Sequence, residues 1–174
     1  MARLPLIVAT LLLTAGAAAA QAPAPAAGAP PPPPRARGPA LALAVEMAQT
    51  AHAVCTTNGY KTTVTVADSA GVPVVVLSGD GAAERTQAVG LSKIATSIKY
   101  KVDSGAIADR VATDTALAAE VKADPKIGTA RRGALLIKVG ADIIGAVSVS
   151  GAPGGDKDEV CAKAGIEKVA ARLK

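Results

Sequence analysis

Lys93 and Thr96 stand three residues apart, with Arg85 eight residues before Lys93, in the stretch ERTQAVGLSKIATS. On a helix Lys93 and Thr96 share a side, and Arg85 lies within about 100° of both. A guanidinium and an ammonium so placed could hold carboxylates, and the Thr96 hydroxyl could cap a metal or a bound water. The plainer reading is a solvated helix face with ordinary charges. His52 is the sole imidazole of the chain. It reads as a metal ligand or as a partly exposed polar residue on a helix border. Met47 lies far round the same helix, so the two cannot flank one ion.

Gly151-Ala152-Pro153-Gly154-Gly155 precedes a helix, which is the form of an anion-binding terminus. Asp156, Asp158 and Glu159 put negative charge where an anion would go, and the Lys-Ser/Thr of a P-loop is missing. A structural cap, with Asp156 or Asp158 as N-cap, is the favoured account. Nucleophile-elbow spacing is absent, and a Ser–His–Asp set would have to recruit His52 from a distant helix. Asp68 and Asp80 read as turn residues before they read as acids. Cys55 and Cys161 belong to no haem-attachment or zinc spacing.

These residues need elements to position them. Leu41 to Asn58 reads as a helix stopped by Gly59, with Leu41, Val45, Ala48 and Cys55 on its apolar side. Lys61 to Ala67 (KTTVTVA) alternates and is β-branched, hence a strand. Asp68 to Gly71 is a turn, and Val72 to Ser78 the returning strand, which Pro73 pushes toward a sheet edge. A helix follows from about Ala82 to Tyr100, with Leu91, Ile94, Ala95 and Ile98 at i, i+3, i+4 and i+7. The next helix is expected over Arg110 to Val121. Ala134 to Val139 and Ile143 to Ser150 form a second hairpin, with Gly140-Ala141 suited to a type II′ turn. A last helix runs from about Asp158 to Leu173. The fold class is therefore α/β, a central antiparallel sheet of four to five strands covered by helices in the order α-β-β-α-α-β-β-α.

The chain ahead of this domain has a different character. Arg3, the apolar run Leu4 to Leu13 and the exit Ala18-Ala19-Ala20 make a secretory signal peptide over residues 1–20, cut before Gln21. The run is too short to remain as a membrane span. Residues 21–39 are Pro/Ala-rich and read as an extended tether. The domain is residues 40–174, and a periplasmic or secreted location follows. Of the net charge of +5, Arg3, Arg35 and Arg37 lie outside the domain, which leaves it at +2. With no Phe or Trp, two Tyr and no basic cluster beyond Arg131-Arg132, nucleic-acid binding has no support. In an oxidising compartment Cys55 and Cys161 read either as a disulfide or as two unpaired small hydrophobes.

The order VTVADSAGVPVVVLSGDGA, ERTQAVGLSKIATS and GAVSVSGAPGGDKDEVCAKAGI resembles the GlcG/HbpS-like proteins, also called haem-degrading-domain proteins. Its signatures are the Asp68…Gly71 turn with Asp80-Gly81-Ala82, Lys93-x-x-Thr96, and Val149-Ser150-Gly151 with Asp158-Glu159. Ile94 stands where Ala is frequent, and Arg132-Gly133 where a double Gly is frequent. The resemblance implies an α/β sandwich, assembly into homo-oligomers, and haem or a related tetrapyrrole as ligand. In that light Arg85 and Lys93 would hold propionates, Tyr100 is the aromatic expected on that helix, and Thr96 or His52 would be the axial group. The role implied is haem capture, sequestration or sensing, more a binder than a catalyst. In any haem degradation the iron would do the oxidation while the protein held the porphyrin. The other reading is a small organic-acid or metabolite domain without haem.

Overall fold

The structure is a computed structural model that describes residues 36–174, so the signal peptide and residues 21–35 of the tether lie outside it. Helix α1 (Leu41–Thr57) leads into the hairpin β1 (Thr63–Asp68) and β2 (Pro73–Ser78). Helices α2 (Arg85–Tyr100), α3 (Ser104–Arg110) and α4 (Thr115–Ala123) follow. A second hairpin, β3 (Ala134–Val139) and β4 (Asp142–Ser150), then leads to α5 (Gly155–Val169) and a closing 3-10 turn. The strands form one antiparallel sheet in the order β2-β1-β4-β3, with Val64 opposite Val149 and Val66 opposite Val147 across its centre.

Turn chemistry explains both hairpins. Asp68 Oδ1 accepts from the Ala70 and Val72 amides, both at 2.9 Å, and Gly71 takes φ 77°. In the second hairpin Gly140 has φ 59° while Ala141 stays out of the left-handed region, as a type II′ turn requires. Pro73 opens the edge strand β2, where its missing N–H costs no ladder bond.

The two faces of the sheet differ in chemistry. Val64, Val66, Ile137, Ile144, Val147 and Val149 point to one side and pack under α1 and α5. Each such fully buried side chain contributes about 1.5–3 kcal/mol. Gly165 lets the two helices meet, since a Cβ there would stand 2.6 Å from the Met47 carbonyl oxygen. A disulfide between Cys55 and Cys161, Cα–Cα 5.6 Å, ties them. The other face carries buried Thr63, Thr65 and Ser148 and lies under α2. A Cβ at Gly90 would stand only 3.2 Å from the Ser148 hydroxyl and 3.3 Å from that of Thr65, and Ser148 donates to the Gly90 carbonyl.

Several boundaries differ from the sequence expectation, and α2, expected from about Ala82, starts at Arg85. The stretch around Arg110 holds two short helices, because Asp114 leaves the helix and caps α4 by accepting from the Leu117 amide at 2.9 Å. Helix α5 starts at Gly155 with Gly154 as its cap and no side-chain cap bond. Asp156 and Asp158 are therefore not its N-cap; Asp158 is committed to another partner. At the N-terminal side, the Arg37 carbonyl accepts from the Ser69 amide and its guanidinium pairs with Asp142, fixing the chain entry to the turn end of the sheet.

Candidate functional site

At the other end of the sheet, the start of β1, the end of β4, the first turns of α2 and the end of α3 surround an open cleft of about 750 Å³. That volume falls within the usual range for ligand sites. Lys61, Arg85, Lys93, Arg131 and Arg132 line it, against the two carboxylates Asp109 and Asp158. Ala83, Val89, Ala108 and Ala130 supply apolar wall.

The wall is built around a buried ion pair. Lys93 Nζ donates to Asp158 Oδ2 and to the Val149 carbonyl, each at 2.7 Å, with both side chains at most 4 % exposed. Asp158 Oδ1 accepts from the Ala152 amide at 3.0 Å. One lysine from α2 thus holds the end of β4, the glycine-rich loop and the first turn of α5 together. Burial pushes the Lys93 ammonium below its ordinary range against the pull of Asp158. Burial likewise pushes the Asp158 carboxyl up, against Lys93. Gly133 makes room for the pair: it has φ 119°, and a Cβ there would run into Lys93 Nζ.

Arg132 is spoken for as well. It pairs with Asp109 of α3 and, at 3.4 Å, with Glu159 of α5, and Asp109 foremost holds its guanidinium above the ordinary range. Lys61, Arg85 and Arg131 are different. They are exposed and, among the described residues, make no ion pair, although Arg131 donates to the Thr129 carbonyl. The cleft therefore presents unneutralised positive charge to solvent, where it can attract anions.

Of the residues singled out from the sequence, the structure brings Arg85 and Lys93 together here. Thr96 is fully buried outside the cleft lining, and its hydroxyl turns back to donate to the Ser92 carbonyl at 2.9 Å. Tyr100 ends the same helix, about 22 Å from Arg85 at 1.5 Å per residue, where its hydroxyl donates to Glu120. His52 lies on α1, in the layer across the sheet. Its imidazole rests on Gly79, where a Cβ would collide with Cε1, and its Nδ1 is buried without a hydrogen-bond partner. Sequence reasoning missed Lys61 and Arg131 as cleft cations and the Lys93–Asp158 bond. No group of three potential metal-ligating His, Cys, Asp or Glu side chains occurs among the described residues.

The family model for haem degrading proteins of the HbpS-like type matches residues 40–167. The chain belongs to the HbpS-like family. Among solved structures, a double mutant of Streptomyces reticuli HbpS is 26% identical, with TM-score 0.71 over 86% of this chain and 99% of that one. The Klebsiella pneumoniae protein ORFY is 21% identical, with TM-score 0.72 over 79% of this chain and 94% of that one. PduOC, solved as a heme complex, is 16% identical, with TM-score 0.68 over 78% of this chain and 96% of that one. The latter two likenesses speak to the fold alone. The curated proteins hold no significant match to this sequence.

Proposed function

We propose that this HbpS-like domain is an exported haem-associated binding module whose cationic cleft grips the carboxylates of a tetrapyrrole. The observation that carries the reading is the set of three exposed cations without acidic partners, Lys61, Arg85 and Arg131, around a cleft with an apolar wall. Guanidinium–carboxylate bonds are the strong, directional kind, and an apolar wall takes a macrocycle face. Lys93 and Asp158 act as positioning residues that keep the Ser150–Gly155 side of the cleft in place. The family and the heme complex of PduOC lend the reading its ligand.

The fit to haem divides. Its propionates suit the cleft; its iron does not. Among the described residues, no His, Cys, Met or Tyr lines the cleft. His52 lies across the sheet, Met47 is fully buried and both cysteines are in the disulfide. No chemical step is therefore assigned to the iron, and the residues support binding rather than catalysis. A small organic acid without haem remains the second reading, favoured by the same carboxylate-seeking cations.

Export and assembly complete the proposal. The Cys55–Cys161 disulfide is in keeping with an oxidising compartment. Edge strand β2 exposes Val76 at 45 %, with Val72 at 57 % just before it, in keeping with a homo-oligomer that covers this edge. Hemin titration of the mature domain tests the ligand. Saturable binding that Arg85→Ala/Arg131→Ala weakens at least about tenfold, and His52→Ala leaves unchanged, is expected. Equal, non-saturating changes in all three proteins would leave the organic-acid reading in front.

A further inference from the structure

We infer that the cleft recognises its tetrapyrrole by the carboxylates alone, so that metal-free porphyrin dicarboxylates are ligands on a par with haem. This rests on the cleft being the tetrapyrrole site. Three observations lead there.

The cleft lining contains no side chain of the types that hold haem iron: no imidazole, thiolate, thioether or phenol. Of the hydroxyls nearby, those of Thr86 and Thr96 are already engaged, and Ser150 offers the cleft a neutral hydroxyl, which is not among the usual holders of haem iron. Thr86 donates to the Ala83 carbonyl and bonds to Thr63 at 2.7 Å, and Thr96 donates to Ser92. Lys93, the one buried cation of the lining, spends its ammonium on Asp158 and Val149. The cations left for a ligand are Lys61, Arg85 and Arg131, all exposed, which bind anionic oxygens and are indifferent to a metal at the centre of a ring. A bound iron makes no bond here that a bare porphyrin lacks, and the two differ little in shape or carboxylate count. The ligand class is thus a dicarboxylic tetrapyrrole, with or without its metal.

The experiment compares hemin, protoporphyrin IX and protoporphyrin IX dimethyl ester on the mature protein. Absorbance follows the first, fluorescence the other two, and competition is run between all three. Dissociation constants for hemin and protoporphyrin IX within about threefold of each other are expected, with the ester at least about tenfold weaker. Raising salt from about 0.05 to 0.5 M should weaken hemin and protoporphyrin IX together, because exposed cations are screened. Hemin binding with which protoporphyrin IX does not compete would overturn the inference and leave the haem assignment standing. An ester that binds as well as the acid would overturn it too, since carboxylates would not be the handle. Absence of binding by all three would instead bring down the assignment of the cleft to tetrapyrroles.

Discussion

Replacing Lys93 by Met keeps most of its volume and removes its charge. Asp158 then lies buried with a single remaining donor, the Ala152 amide, where it had two. Removing one partner of a buried ion pair costs about 3–5 kcal/mol, a large share of the 5–15 kcal/mol typical of a domain. At a typical urea slope this lowers the denaturation midpoint by about 1.5–3 M. The sign of the pH effect follows from Asp158. Burial already raises its pKa in the folded state, and loss of Lys93 raises it further. Between the ordinary carboxylate value near 3.9 and the raised one, the folded chain holds a proton that the unfolded chain does not. Stability of the variant therefore rises as pH falls, by up to about 1.4 kcal/mol per pH unit. Urea denaturation followed by far-UV circular dichroism at pH 7 and pH 5, with the disulfide intact, reads both quantities. A loss below about 1 kcal/mol at pH 7, or a gap to wild type that does not narrow at pH 5, would refute the reasoning. Lys93→Met/Asp158→Leu, with no buried charge left, should recover most of the loss.

Cys55→Ser/Cys161→Ser opens a loop whose ends are 106 residues apart and should cost about 2–5 kcal/mol in the same denaturation assay. Intact mass of the protein recovered from the producing cells should begin at Gln21 and lack the two thiol hydrogens; a full-length, reduced chain would contradict export. Sedimentation of the mature protein should show an oligomer that Val76→Lys shifts toward monomer, and a monomeric wild type would contradict assembly through β2.

Much of the fold was written locally. Asp68 and Gly71 set one hairpin, Gly140 the other, and Pro73 marked the edge strand, because each acts within a few residues of itself. The break at Asp114 was equally local but hidden in a stretch with adequate helical periodicity. The site was less legible. Arg85 and Lys93 were found by type and spacing, yet the partner of Lys93 lies 65 residues away. Asp158 therefore looked like a helix cap. Thr96 shares a helix side with Lys93, but that side is buried; the long lysine stem reaches the cleft, whereas the short threonine turns back on its own helix. Whether His52 faced the site depended on which side of the sheet α1 covers, and no local pattern carries that.

The central claim is that ligand binds at the cationic cleft and not beside the histidine. Amide spectra of the isotope-labelled mature domain, recorded with substoichiometric hemin, locate the ligand through paramagnetic broadening. Broadening strongest around Arg85, Arg131 and Gly151–Gly155, and fading toward His52 and the middle of α1, is the result expected. Broadening centred on His52 and the α1 residues around it, with Arg131 and Arg132 spared, would place the ligand on the histidine side and contradict the account.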